Sequence, residues 1–371
     1  MTAQNYAWLY GNDLYMEDIK RLAENDLPWE KLQGKKILLS GTGGMIGSFM
    51  VDVLMYKNTK GLDCKIYGLC RNRTVTETRF SAWTSNDRLI LLEQDIKKDI
   101  SGENREILLA DDRIDYVLHL ASNTHPLEYA ADPIGTIMTN IVGLQHMLET
   151  AKDVRSERFV FASSNEVYGQ NRNDAEKFDE NYCGYIDSNT LRAGYPESKR
   201  CGESLCQAYR SQKNMDIVIP RLTRTFGPTM KERDSKAISQ FIKKAVNREN
   251  IVLKSAGEQF FSYTYVADAV SGLLTVMLKG ADGEAYNIAD ETCDIKLKDL
   301  ANLAASYVER EVVFEIPDDV EAAGYSTATK ARLDNRKISK LGWSATVNIE
   351  TGIQRTIDIL SSQKRDGLLE D

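Results

Sequence analysis

The chain has 371 residues, 42% of them hydrophobic and 27% charged, and a formal net charge of −8 at pH 7. That length holds one large domain or two ordinary ones around a substantial core. The acidic balance argues against nucleic acid as the main partner, because binding a phosphate backbone needs a basic surface, but an anionic small molecule in a locally positive pocket is compatible with it.

Six cysteines (Cys64, Cys70, Cys183, Cys201, Cys206, Cys293) make no C-x-x-C pair, and with only three histidines no metal site is expected. Scattered free thiols suit a reducing cytoplasm. The start, MTAQNYAWLYGNDLYMED, lacks the basic and apolar pattern of a signal peptide. No apolar run of membrane-spanning length occurs, so no membrane partner is expected.

Residues 1–34 hold a short helical pattern, LYMEDIKRLAEN, followed by PWEKLQGK, and read as a helical arm packed on the body, with no chemistry of its own. From residue 35 the pattern becomes strand, glycine turn, helix. KKILLSG is too short and too apolar for a surface helix and reads as a buried parallel strand. Further strands are expected in CKIYGLC (64–70), LILLEQD (89–95), DYVLHLAS (115–122), RFVFASS (158–164) and DIVIPRL (216–222), with helices between most of them, such as TNIVGLQHMLETAK and SKRCGESLCQAYRSQ. Alternating strands and helices predict an α/β fold: a Rossmann-like, doubly wound parallel sheet built of right-handed β-α-β units. After about residue 220 the alternation weakens. The expected division is a dinucleotide-binding domain over 35–220 with a return segment at about 259–290, and a smaller, mainly substrate-binding domain over 221–371.

LLSGTGGMIGS carries Gly41, Gly44 and Gly47 directly after a strand and before a helix. The first permits a tight turn, the second lets a pyrophosphate approach the backbone, and the third allows close helix–strand packing. The helix start, with Met45 and Ile46, offers N–H groups and a partial positive charge to phosphate. The competing reading is a merely tight turn. At the end of the second strand, where an acid usually holds the adenosine ribose, stand Cys70 and Arg71. Arginine there favours a 2′-phosphate, so NADP is expected over NAD, unless Arg71 is only a surface residue. Asp95 and Ile96 after the third strand, and Leu120, Ala121 and Ser122 after the fourth, are further candidate cofactor contacts.

RAGYPESKR (192–200) sets Tyr195 four residues before Lys199, on one face of an expected helix. Alone, the pair reads as a solvated helix with an amphipathic tyrosine. The sharper reading is a phenol that loses its proton beside a fixed cation. The glycine turn, DYVLHLAS, FVFASSNEVYG and YPESK together resemble the extended short-chain dehydrogenase/reductase family, the sugar-nucleotide epimerases and dehydratases. In that family a Ser or Thr four residues before the tyrosine of V-Y-G is catalytic, which selects Ser164, and the Y-x-x-x-K pair falls on Tyr195 and Lys199. Lowering a phenol from about 10 to about 7 needs roughly 4 kcal/mol, which a cation at about 4 Å offers at an effective dielectric of about 20. Pro196 suits a first helical turn. Tyr195 would then be the base on a sugar hydroxyl, with Ser164 orienting that oxygen.

Within the family the chain resembles UDP-glucuronate decarboxylases over nearly all of 35–360, through EYAADPIGTIMTNIVGLQHMLETAK, ENYCGYIDSNTLRAGYPESKR, RLTRTFGPTM and LDNRKISKLGW. Glu166 falls on the glutamate that decarboxylases and 4,6-dehydratases share. Asn165 stands where dTDP-glucose dehydratases carry an acid, which counts against that reaction. Three positions depart from the pattern. Arg224 replaces the usual Asn and Phe261 a usual Arg, both diphosphate contacts in the family, and the R-x-P-D pattern is missing, leaving Lys330 and Arg332 as substitutes. An arginine lost in one place and gained in another fits a relocated phosphate clamp or a different substrate.

Candidate substrate contacts are therefore His125, Asn165, Arg192, Arg224 and Phe261, with Arg192 open between substrate and a salt bridge. His119 reads as core or cofactor-lining, His146 as helix surface, and Tyr168 with Gly169 as shaping a strand end. The resemblance implies a homodimer with a four-helix interface and an enzyme that works through a transient 4-keto sugar. Two alternatives are a net NADPH-dependent reductase of a sugar-phosphate or nucleotide-linked ketone, and a non-catalytic dinucleotide-binding regulator.

Overall fold

The structure, a computed structural model, describes residues 7–124, 131–315 and 329–365. Its strands are β1 (Lys36–Ser40), β2 (Lys65–Cys70), β3 (Leu89–Glu93), β4 (Tyr116–His119), β5 (Arg158–Phe161), β6 (Ser163–Ser164), β7 (Ile217–Leu222), β8 (Arg224–Phe226), β9 (Ile251–Leu253), β10 (Phe260–Tyr265), β11 (Ala285–Ile288), β12 (Asp294–Lys296), β13 (Val312–Phe314) and β14 (Lys330–Ala331). The helices are α1 (Asp13–Ala23), α2 (Met45–Asn58), α3 (Arg73–Arg79), α4 (Gly102–Leu109), α5 (Pro133–Asp153), α6 (Gly194–Lys213), α7 (Ala237–Val246), α8 (Val266–Lys279), α9 (Leu297–Tyr307), α10 (Arg336–Ser339) and α11 (Ile349–Arg365).

The large sheet runs β3-β2-β1-β4-β5-β7-β11, with β6 beside β7, and each of these pairings is parallel. The apolar runs that predicted its strands are buried on both faces, as helices on either side require. Strand order reverses between β1 and β4, which opens a crevice at their carboxyl ends. A single residue, Thr223, links β7 of this sheet to β8, and the Thr223 hydroxyl meets that of Thr264 at 2.7 Å. A second sheet centres on β10, which pairs with β8 and β14 in parallel and with β12 antiparallel. The return to the large sheet, expected from about 259, therefore starts at α8, because Phe260–Tyr265 is the centre of the small sheet. Among the described residues no helix is long and apolar enough to cross a membrane.

The N-terminal arm is bolted on by two buried carboxylates. Asp52, on α2, accepts from the Tyr10 hydroxyl at 2.8 Å, the Tyr15 hydroxyl at 2.5 Å, Arg79 at 2.5 Å and the Trp83 indole at 2.9 Å. Asp18, on α1, accepts from the Tyr265 hydroxyl at 2.6 Å and pairs with Arg355 of α11 at 3.1 Å. The arm thus joins α2 and α3 to the small sheet. Two histidines are also structural. His146 is half-buried rather than on the surface, with Nδ1 at 2.8 Å from the Ile96 carbonyl and Nε2 at 3.1 Å from Asp99, because α5 packs over the loop after β3. His119, at the end of β4, bonds the Ser40 hydroxyl at 2.8 Å and stacks on Phe161.

Two stability predictions follow from these buried groups. Arg79→Met leaves Asp52 without its cation and should destabilise the protein by about 3–5 kcal/mol in urea unfolding, whereas Arg79→Met with Asp52→Leu should recover part of that loss. Burial holds the folded-state pKa of His119 down to about 3, against about 6.5 unfolded. Its contribution to stability is full above pH 6.5 and is lost as pH falls towards 3, because only the unfolded imidazole takes up a proton. His119→Gln should therefore show a shallower fall of melting temperature between pH 6.5 and 4 than the parent.

Candidate active site

The crevice at the strand ends is lined on one side by Gly41, Gly44, Met45, Ile46 and Gly47, between β1 and α2. Gly41 has φ +77, and a Cβ there would lie 2.8 Å from the Ala121 nitrogen. A Cβ on Gly47 would lie 2.3 Å from the Gly41 carbonyl oxygen. Only glycine lets the turn pass this close to β4 and its own helix. Gly44 caps α2 without any side-chain bond to the first turn, so that turn presents backbone N–H groups to the cleft. This bare cradle fits a dinucleotide pyrophosphate.

Leu120 and Ser122 continue the wall from the end of β4, while Ala121 turns its N–H back to the Ser40 hydroxyl at 3.3 Å. Asp95 accepts from the Lys97 N–H at 3.0 Å, and Ile96 is buried against Gly143 of α5. Arg71 is exposed just beyond β2. These last three stand at strand ends on the expected side but not in the wall of the cleft itself. His125 lies outside the described residues.

The opposite wall brings together Ser164, Asn165, Glu166, Tyr195 and Lys199. Ser164 ends β6, and its hydroxyl accepts the Glu166 N–H at 3.2 Å. Tyr195 and Lys199 lie in the first turns of α6, both buried, and Gly202 lets that helix sit against Phe161, where a Cβ would come within 2.6 Å. Lys199 donates to the Ala162 carbonyl at 2.8 Å, and its Nζ lies 4.9 Å above the Phe161 ring.

The electrostatics of the pair differ from the expectation of a phenol lowered towards 7. Burial pushes Tyr195 up to about 12, against hydrogen bonds from Ser164 and Ser122 that favour the phenolate. Glu166 raises it further and Arg192 opposes that rise. Lys199 is not close enough to win: its Nζ is 6.0 Å from the phenol ring centroid and is drawn to the Ala162 carbonyl. Burial also depresses Lys199 itself, to about 8, with Glu203 as the main opposing charge.

Arg192, left open between two roles, donates from Nη2 to both Glu166 oxygens at 2.8 Å. Arg224 lines the cleft from β8 and lies flat on Phe261 of β10, 3.7 Å from guanidinium carbon to ring centroid. Phe260, one residue earlier and so on the other face of β10, carries Arg332, which pairs with Glu176 at 2.8 Å. Lys330 is exposed. Tyr168 donates to Asn287 at 2.5 Å and accepts from Arg221, and Gly169 takes φ +68 against the Tyr185 carbonyl.

Sequence reasoning missed Ser163, Thr223, Thr225 and Lys236 in the cleft wall. Ser163, adjacent to Ser164 at a strand end, carried a signal. Lys236 enters from the start of α7 and carried none. Among the described residues no group of three or more His, Cys, Asp and Glu is placed to hold a metal ion.

Residues 37–289 match the NAD dependent epimerase/dehydratase family. Similar curated proteins include UDP-glucuronic acid decarboxylase 1 of Xenopus tropicalis, 29% identical over 342 residues that make up 91% of this chain and 73% of the relative. UDP-glucuronic acid decarboxylase 5 of Arabidopsis thaliana is 30% identical over 321 residues, 86% of this chain and 87% of the relative. Among solved structures, UDP-glucuronic acid 4-epimerase from Bacillus cereus, in complex with UDP-glucuronic acid and NAD, superposes with a TM-score of 0.74 at 23% identity, covering 88% of this chain and 99% of the other. That likeness extends the shared fold beyond the matched segment. With glycine cradle, strand-end serine and buried Tyr–Lys helix in one crevice, and with the family's pattern running from β1 through β11, the chain belongs to the NAD dependent epimerase/dehydratase family.

Proposed function

We propose that the protein is an NAD(P)-dependent enzyme that modifies a nucleotide sugar through a transient 4-keto intermediate, in the manner of a UDP-glucuronate decarboxylase. The observation that carries this reading is the convergence of Ser164, Glu166, Tyr195 and Lys199 on one cleft opposite the glycine cradle. The dinucleotide, when bound, supplies a hydride acceptor for the sugar C4 carbon and a positive charge that favours the phenolate. Tyr195 takes the proton of the C4 hydroxyl, and Ser164 holds that oxygen in line. Lys199 holds the nicotinamide ribose. The ketone acidifies the neighbouring carbon, which permits loss of CO2, loss of water or epimerisation. Glu166, paired with Arg192, lines the same cleft, and Asn165 cannot act as the acid of a dehydration.

Arg224 on its Phe261 platform supplies a planar fork for the substrate diphosphate, on the side of the cleft furnished by the small sheet. In this reading the cofactor body is 35–220 with its returning helix and strand, and residues from 221 onward carry most of the sugar contacts. His125 also belongs to the sugar side. Arg71 in place of the ribose-binding acid supports NADP over NAD. Free cysteines at all six positions support a reducing, cytoplasmic setting. The proposed homodimer uses α5 and α6, where Ile134 and Met138 of α5 are 72% and 46% exposed. A net reductase is not favoured, since the similar proteins named above are decarboxylases and an epimerase.

The test is incubation with a panel of nucleotide sugars, with and without NADPH, reading products by mass. Loss of CO2 from UDP-glucuronate without net NADPH consumption is expected; stoichiometric NADPH consumption with a gain of two hydrogens would overturn the reading. Tyr195→Phe should lower kcat by about 10²–10⁴ with the confirmed substrate. Arg71→Asp should weaken NADPH more than NADH in fluorescence titrations, reversing the preference.

A further inference from the structure

The strip of chain that follows β5 is held by side chains at both of its ends. Lys199 donates to the Ala162 carbonyl at 2.8 Å, and Arg200 donates from Nε to the Val167 carbonyl at 2.7 Å. The Ser163 hydroxyl donates to Glu203 Oε1 at 2.6 Å, a short bond of the kind a charged acceptor makes. The Tyr168 hydroxyl donates to Asn287 at 2.5 Å and accepts from Arg221 Nη1 at 3.0 Å. The holds on Ser163 and Tyr168 share one ion pair. Glu203 Oε1 also accepts from Arg221 Nε at 2.9 Å, and its Oε2 accepts from Arg221 Nη2 at 2.6 Å. Arg221 is the β7 partner of Ser163 in the parallel register, so strand pairing brings the guanidinium fork beside the serine. It also reaches the Glu180 carbonyl at 2.8 Å.

Between these holds stand Ser164, Asn165 and Glu166, all three in the wall of the cleft. Lys199, Arg200 and Glu203 ride on α6, the helix that also carries Tyr195. A mostly buried ion pair is by itself weak evidence of stability, and one that merely stapled α6 to β7 would need neither Ser163 nor Tyr168. On the reading that Ser164 and Tyr195 handle the substrate hydroxyl, we propose that the Glu203–Arg221 pair is a clamp. By holding both ends of the 163–168 segment it sets where Ser164 stands relative to Tyr195. Glu203 and Arg221 are thus positioning residues that act through Ser163 and Tyr168, and neither has to touch the substrate. Small displacements matter in such a site, since a misplacement of about 1 Å costs about 10²-fold in rate.

Ser163→Ala and Tyr168→Phe each release one end of the segment and leave every charge in place. In the holoenzyme, hydrogen exchange of the amides of residues 164–168 should quicken by about fivefold in either variant, with exchange in the glycine turn and α2 unchanged. On the confirmed nucleotide sugar kcat should fall by about tenfold while KM stays within about twofold. Unchanged exchange overturns the clamp. Faster exchange with unaltered kcat overturns its positioning role, as does a rise in KM with kcat spared, which would mark Ser163 as a direct substrate contact. Should one variant fail to fold, the other decides. Hydrogen exchange requires no substrate, so full turnover by Tyr195→Phe would remove the reading on which the positioning role rests and leave the clamp itself standing.

Discussion

A phenol with almost no access to water governs the arrangement of the crevice. Taking Tyr195 out of solvent favours its neutral form, and nearly every neighbour can be understood by the direction in which it moves that balance. Ser164 and Ser122 bring hydroxyls to the phenol oxygen. Arg192 counters Glu166, so a carboxylate can line the cleft without forbidding a second negative charge nearby. Without a bound cation the balance lies with the phenol, and the additional positive charge of an oxidised dinucleotide acts in the required direction.

Lys199 has a different part from simple pairing with the tyrosine. Its ammonium is fixed by the Ala162 carbonyl and by the face of Phe161, which ties α6 to the end of β5. Gly202, one turn on, removes the Cβ that would strike the same ring. The helix is thereby held close enough to the sheet for its first turn to face the serine that ends β6. The same logic of close approach recurs at Gly41 and Gly47, where bare backbone lets the turn meet both β4 and α2. The geometry of the crevice is built from places where a methyl group would not fit.

One residue, Thr223, separates two strands that belong to different sheets, and it lines the crevice. Arg224 follows it at once, and parallel pairing of β8 with β10 sets Arg224 beside Tyr263, two residues and one pleat along from Phe261. An arginine lying on an aromatic ring loses little freedom when it meets an anion. The arm stabilises the same framework from behind. Its tyrosines close over the Asp52–Arg79 pair that joins α2 to α3, the two helices whose first turns flank the expected dinucleotide.

Much of this was legible in the residues themselves, because the responsible physics is local. Short apolar runs bounded by glycine can only be buried strands in a chain of this composition, and a glycine triplet between strand and helix needs no distant partner to be understood. The spacing of Tyr195 and Lys199 likewise places both on one helical face. Long-range contact decided what spacing could not. The return to the large sheet begins at Val266 because β10 finds partners in β8, β12 and β14, which are too short to register as strands alone. Arg192 chose Glu166, and Arg224 chose Phe261, across segments with no periodic relation. The phenol's acidity was the largest departure: sequence supplies the cation, but desolvation and the competing Ala162 carbonyl exist only once the helix is packed on the sheet. The sequence by itself determined which chemical groups were present and on which element each stood; the tertiary structure decided their dielectric surroundings and partners, because burial and hydrogen-bond competition are properties of packed neighbours and not of order along the chain.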